Sequence, residues 1–458
     1  MQSSVSILGT EASSTRAEVS SETRSKLEKE SNLTATQLQI WLGQKLHPNA
    51  PLYNMIHTFT IHGPIEPAAF QQAFQESINK SDALRTVIRE IDGVPQQQVK
   101  PYYPYTVEFI DFSNESNPQT RFDTWLNQCK VRLFDLNQGL FESVLVKLAE
   151  DRFVWYLSVH HLVADVLAFE LIYKRMSDFY QLALSGQLGQ APNLSTYRNF
   201  LETEREYLQS PKADKANTYW NEKLAVAIEP TNFYGKLLVP DVRPRTERVA
   251  CPLGPERSAR LREIVQEKGI RALTVDMSLF HSFAAVLATT LHKISGKERL
   301  ALGIPFHNRA TPQFKDTIGL FINIYPLLVE LETTDTFRTL IQRNLKETFA
   351  ALRYAQHNSD EAGKAYDVVL NYLTASFGDF AGYSAENRWV HSGYGDSHHA
   401  LRLQVVDFED SGNMALYFDF NTDVFDAQRQ FKYPVIKHVP ILLKDARIEV
   451  MEGNLDEE

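Results

Sequence analysis

Phe153-Val154-Trp155-Tyr156-Leu157-Ser158-Val159 is an almost unbroken β-prone apolar run, which predicts a strand covered on both faces. Any fold that contains it must supply a layer on each side. Directly after it come His160-His161-Leu162-Val163-Ala164-Asp165. From Val166 to Leu184 the apolar residues Leu167, Leu171, Ile172, Met176, Phe179 and Tyr180 recur at helical spacing. Two imidazoles and a carboxylate therefore stand where a buried strand hands over to an amphipathic helix. Successive strand residues face opposite ways, so one imidazole can point into a cavity while the other forms part of the wall. Asp165 falls where a helix N-cap belongs, and a carboxylate there can bond backbone N–H groups without doing chemistry. From the residues alone, capping and a role in a polar site both stay open.

Composition removes several classes of function. The 458-residue chain, 43% apolar and 11% aromatic, can bury a large core in two domains or in two halves of a duplicated fold. Its formal net charge of −10 offers no basic face for nucleic acid. No run approaches the ~18 to 20 apolar residues of a membrane helix, and the start lacks a signal-peptide pattern, so no membrane role and a cytoplasmic location are expected. Cys129 and Cys251 are far apart and outside any CxxC spacing, which supports neither a disulfide framework nor a zinc site. A metal held by His160 and His161 is not expected, because adjacent side chains diverge and no third ligand stands at suitable spacing.

Along the chain, residues 1–30 are rich in Ser, Thr, Glu and Lys and predict a flexible tail. A hydroxyl-capped helix is expected from Thr34, a strand at 56–61 and a helix at 67–77. Gly, Pro and Asn at 187–195 mark a link between two lobes, 31–190 and 191–458. Beyond it, polar-faced helices end near Tyr219-Trp220, and a long apolar helix covers 275–294. Strands are expected at 300–304, 322–331, 367–374, 401–408 and 414–420. Ser158 reads as an ordinary strand residue, and His398-His399, with no Asp at the right distance, as surface or wall.

The hexapeptide His160-His161-Leu162-Val163-Ala164-Asp165 resembles the HHxxxD signature of the condensation domains of nonribosomal peptide synthetases and related carrier-dependent acyltransferases. The resemblance extends to the opening motif at 33–41, to Asp82-Ala83-Leu84-Arg85-Thr86, and to Phe134-Asp135-Leu136 with Gly139. Tyr219-Trp220, Pro305-Phe306-His307-Asn308-Arg309 and the segment 318–327 follow in the family's order. It implies an α+β fold of two chloramphenicol-acetyltransferase-like lobes, each a sheet packed with helices, arranged as a V-shaped pseudo-dimer. It further implies that His161 is the active-site residue, that His160 supports it, and that Asp165 is structural and paired with Arg309. The reaction implied is amide formation between a carrier-bound acyl thioester and a carrier-bound amine, by a monomer with no cofactor of its own. Donor and acceptor carrier proteins would be the partners, and they would supply phosphopantetheine.

An amine attacking an activated thioester needs mainly positioning and a hydrogen bond, whereas a hydroxyl acceptor would need a base more. The sequence departs from the family pattern at Val166, which replaces a glycine and would narrow the acyl tunnel, at Lys80-Ser81, and at Gln356-His357. A non-catalytic domain that docks a carrier or tailoring enzyme, or an ester-forming acyltransferase, is the alternative. Epimerising relatives carry a tryptophan soon after the Asp, and heterocyclising ones an Asp in place of the first His; this chain has neither.

Overall fold

The computed structural model describes residues 21–226, 228–233, 236, 238, 243–309, 311–354, 363, 365–408 and 412–425. In chain order the elements begin with α1 (Ser21–Glu30), α2 (Ala35–Leu46), β1 (Asn54–His62) and α3 (Pro67–Lys80). Next come β2 (Thr86–Ile91), β3 (Val94–Val99), β4 (Glu108–Asp111), α4 (Pro118–Cys129), β5 (Phe141–Ala149), β6 (Arg152–His160) and α5 (Val166–Leu184). They continue through α6 (Arg198–Leu208), α7 (Pro211–Lys223), β7 (Thr246–Pro252), α8 (Gly254–Ile264), α9 (Val275–Ser295) and β8 (Arg299–His307). The last are α10 (Pro312–Lys315), β9 (Ile322–Glu330), α11 (Phe337–Leu352), β10 (Val368–Ala375), β11 (Ala385–Val390), β12 (Leu401–Phe408) and β13 (Met414–Asn421).

Two compact units result, and their division differs from the expected break at residue 190. The first comprises residues up to 209 together with 307–322 and 375–396, and the second the remainder. The reason is strand pairing: β11, from late in the chain, closes the otherwise open edge of β1, from Ile56↔Val390 to Ile61↔Ala385. The expected tail also ends earlier than residue 30. Residues 21–30 form α1, whose Leu27 is buried, and the Glu30 carbonyl accepts a bond from Gln96. Leu27 and the bond at Glu30 tie to the fold a segment that composition alone reads as polar. Residues 1–20 lie outside the described residues.

In the first unit the sheet order is β11-β1-β6-β5-β4. β6 is its centre and is covered on both faces, as the apolar run predicts. Residues of one parity, Val154 and Tyr156, join Ile56, Phe122, Trp125 and Leu126 in a cluster that includes α4. Residues of the other parity meet an aromatic core from β1, α3 and α5. Trp155 lies 5.3 Å from Phe59, 5.5 Å from Phe70 and 6.2 Å from Tyr173, measured between ring centroids. Its indole Nε1 donates to Ser143 Oγ at 3.0 Å. β2 and β3 form a separate hairpin turned by Asp92 and Gly93, both at positive φ as a two-residue hairpin turn requires.

The second unit holds a six-stranded sheet in the order β7-β13-β12-β10-β8-β9. α9 supplies much of its core through Leu279, Phe283, Ala284 and Leu287, packed with Leu340 and Ile341 of α11. Among the described residues no helix is long and apolar enough to cross a membrane.

Replacing Trp155 by Ala removes the side chain on which the first unit's aromatic layer converges and leaves the Ser143 hydroxyl, fully buried, without its indole partner. The unfolding free energy in urea is expected to fall by about 3 to 5 kcal/mol. A loss below about 1 kcal/mol would mean the layer repacks around the gap.

Candidate active site

The hexapeptide forms a tight connection from β6 to α5. His160 is the last residue of its strand and is 1% exposed, whereas His161 lies in the turn and is half-buried. The two imidazoles therefore have different surroundings. His160 Nδ1 accepts the Leu162 N–H at 3.2 Å, which places the ring proton on Nε2. That Nε2 is buried without a hydrogen-bond partner among the described residues, and Tyr53 and Phe134 flank the ring at 6.2 and 6.1 Å. Burial, and secondarily the neighbouring His161, push its pKa down to about 3. His160 is a neutral wall residue. A cavity of about 310 Å³, lined in part by Asn54, Phe134, Glu142 and Ser158, lies near this strand end, and neither histidine is among its lining residues.

His161 is held at both ends. Its backbone N–H donates to the Tyr53 carbonyl at 2.8 Å, and its Nδ1 lies 2.8 Å from the Ala164 carbonyl. A carbonyl only accepts, so Nδ1 carries the hydrogen and Nε2 is the nitrogen able to take a proton.

Asp165 takes both of the roles left open by the sequence. Its Oδ1 accepts the Ala168 N–H at 2.8 Å as the N-cap of α5, and also Arg309 Nη2 at 2.9 Å. Its Oδ2 accepts the Phe321 N–H at 3.1 Å. Side-chain exposure of the ion pair is 2% for Arg309 and 3% for Asp165, so the charges are taken out of water together. Arg309 Nη1 bonds the carbonyls of Phe314 and Thr317, Nη2 reaches the Gly319 carbonyl at 3.4 Å, and the Phe321 ring lies 4.0 Å from the guanidinium carbon. Charge-assisted bonds of this kind offset the desolvation that makes buried pairs costly.

The loop that carries Arg309 has its own support, which sequence patterns did not reveal. Tyr197 donates its hydroxyl to the Leu320 carbonyl at 2.6 Å, and its ring fills the space a Cβ at Gly319 would occupy, 2.1 Å from the nearest ring atom. Asp82, quoted above only as part of a motif, accepts the backbone N–H groups of Tyr197 and Arg198 at 3.0 and 3.1 Å. Asp82 between the end of α3 and an apolar pair was the only local signal; its burial and its partner 115 residues away were not readable.

Val166 is the first residue of α5 and is half-buried. Among the described non-glycine residues only Asp92 and Ala381 have positive φ, so valine is unstrained here. Lys80 bonds Asn193 at 2.9 Å and Ser81 caps α3; Gln356 and His357 lie outside the described residues. His398 is exposed, while His399 is buried, stacks on Tyr366 at 5.6 Å and accepts from Arg402.

The family model for the condensation domain matches residues 28–433. A dimodular nonribosomal peptide synthase of Bacillus subtilis (strain 168) is 25% identical over 410 residues, which is 86% of this chain and 17% of that protein. An isonitrile lipopeptide synthase of Streptomyces coeruleorubidus is 24% identical over 86% of this chain and 27% of its own length. The chain thus spans about a sixth to a quarter of the length of these relatives. Among solved structures, the starter condensation domain of rhizomide synthetase, a mutant in complex with C8-CoA, superimposes with a TM-score of 0.78 at 24% identity, covering 90% of this chain and 95% of that one. The first condensation domain of the calcium-dependent antibiotic synthetase, in complex with a substrate analogue, gives 0.77 at 20% identity over 90% and 96%. These likenesses place the chain in the two-lobed acetyltransferase-type α+β fold.

Because the folded-state pKa of His160 lies below its ordinary 6.5, the unfolded chain binds a proton that the folded one lacks between about pH 6.5 and 3. Its contribution to stability is complete above that window and is lost as pH falls through it, with a slope of up to ~1.4 kcal/mol per pH unit. His160→Asn keeps an acceptor for the Leu162 N–H and removes the titration. Urea unfolding at about pH 5 and about pH 7 should show a shallower pH dependence in the variant than in the wild type. Equal slopes would contradict a buried neutral His160.

Proposed function

The chain belongs to the condensation-domain family, and from that membership we propose that it forms an amide bond between an acyl group held as a thioester on one carrier protein and an amine held on a second. The observation that supports this reading best is the fixed tautomer of His161: Nδ1 is committed to the Ala164 carbonyl, so Nε2 is the basic nitrogen of a half-buried ring. In the step itself the amine nitrogen forms a bond to the thioester carbonyl carbon and the C–S bond breaks. The amine proton passes by way of Nε2 to the departing thiolate, so the imidazole ends as it began. An acyl-enzyme is not required, since donor and acceptor are both delivered. Catalysis then rests mainly on holding two tethered substrates in register, for which effective molarities are large.

Carrier proteins are the proposed partners, and their phosphopantetheine arms bring the two substrates; the chain itself contributes the imidazole and the brace behind it. Val166 stands one residue past the cap of α5, where a glycine in its place would leave more room. In this reading the valine selects against bulky acyl donors without disturbing Asp165 or His161. The location in this reading is the cytoplasm, a reducing compartment that suits two free cysteines, Cys129 and Cys251.

The test is single-turnover condensation of an acyl-loaded carrier with aminoacyl-loaded and, separately, hydroxyacyl-loaded acceptor carriers, read by mass spectrometry. His161→Ala should cut the rate by about 10² to 10⁴ for a hydroxyl acceptor and less for an amine, with carrier affinity unchanged. Val166→Gly should widen the range of donors accepted. Wild-type rates in His161→Ala would remove the residue from the chemistry. An inert natural protein that Val166→Gly switches on would favour the docking alternative.

A further inference from the structure

α2 opens with a capping box: the Gln37 N–H donates to Thr34 Oγ1 at 3.1 Å, and the Thr34 N–H donates back to Gln37 Oε1 at 2.9 Å. Glu and Gln serve equally well in that box, because only a side-chain oxygen is needed. The helix start therefore gives no reason for an amide in this position. The reason lies 125 residues later: Gln37 Nε2 donates to the carbonyl of Leu162 at 2.8 Å, inside the histidine turn. The orientation of the amide is dictated by its partners, since Thr34 N–H can bond only an oxygen and the Leu162 carbonyl only a donor. Gln97 Nε2 adds a second bond to Oε1 at 3.2 Å and is itself tied to Asn32. Gln37 is fully buried, so no water competes for these bonds.

The Leu162 carbonyl sits in the middle of the turn that sets His161. The Leu162 N–H donates to His160 Nδ1, and two residues later the Ala164 carbonyl accepts from His161 Nδ1. Arg309 and Phe321 fix the turn from its Asp165 end, and Gln37 fixes it from the other side. We propose that Gln37 is a positioning residue for the reaction, whose amide pins the Leu162 carbonyl and thereby holds Ala164 where it selects the reactive tautomer of His161. This rests on the reading of His161 as the group that handles the proton. An ionised carboxylate at position 37 would keep the capping box and set an acceptor oxygen against the Leu162 carbonyl, whereas Met offers no donor in any protonation state and removes the bond outright.

The experiment compares wild type with Gln37→Glu and the uncharged Gln37→Met. ¹⁵N-histidine spectra at neutral pH, with the His161 signal identified by its loss in His161→Ala, report the tautomer directly. Single-turnover rates with loaded carriers report the chemistry. The wild-type ring should be in the Nδ1–H form. In both variants it should shift towards a mixture of tautomers, with kcat lowered by about tenfold or more and KM for the acceptor carrier within about twofold. Folded variants that keep both the Nδ1–H signal and the wild-type kcat would overturn the proposal. If the tautomer shifts in both variants while the wild type forms no product with any pair of loaded carriers, the positioning role stands and the acyl-transfer reading falls.

Discussion

The carboxylate of Asp165 is a full charge placed where almost no water reaches, and such a group persists only when each of its oxygens is answered. Two N–H groups and a guanidinium answer it, and they come from three places in the sequence: Ala168 in its own helix, and Phe321 and Arg309 from a segment 144 to 156 residues later. The guanidinium brings requirements of its own. Its donors must meet the carbonyls of Phe314, Thr317 and Gly319, so the segment 314–319 has to fold back around it. That path is possible because Gly319 has no side chain where Tyr197 lies, and because Asp82 holds Tyr197 in place. One desolvated charge thereby dictates the conformation of a loop, the start of a helix and the approach of α5.

The same frame explains how two adjacent histidines acquire opposite properties. His160 ends the central strand inside the first unit, where ionisation is suppressed by burial. His161 follows it by one residue, clear of the strand, and its ring is oriented by a carbonyl just ahead of the braced Asp165. Neither outcome needs an unusual residue. The difference comes from which side of the strand end each ring leaves, and from a turn too short to allow any other arrangement once both of its ends are tied.

Much of this was readable in the residues. Phe153 to Val159 gave a two-sided strand because hydrophobicity without alternation has few other meanings, and the helix from Val166 to about Leu184 was readable because an apolar stripe and a carboxylate cap agreed. The Asp165–Arg309 pairing came from a resemblance and not from spacing. Besides the Asp82 and Tyr197 support, three further features were illegible. β11 is a short, half-polar edge strand whose partner lies over 320 residues earlier, so nothing local marks it as part of the first unit. The order of residues 21–30 depends on contacts that composition cannot express. Gln37 looked like an ordinary helix start, since the Thr34-x-x-Gln37 box is complete without its tertiary bond. Local rules captured what local energies decide, and missed what long-range pairing decides.

The most direct measurement is a double-mutant cycle on Asp165→Asn and Arg309→Met, with unfolding free energy and single-turnover rate both recorded. If the carboxylate and the guanidinium form one unit that supports the turn, each single substitution should cost about as much as both together in stability and in rate. The coupling energy should then reach about 2 kcal/mol or more. Losses that simply add, within about 0.5 kcal/mol, would mean that Asp165 serves the turn as a helix cap alone and that Arg309 does not brace it.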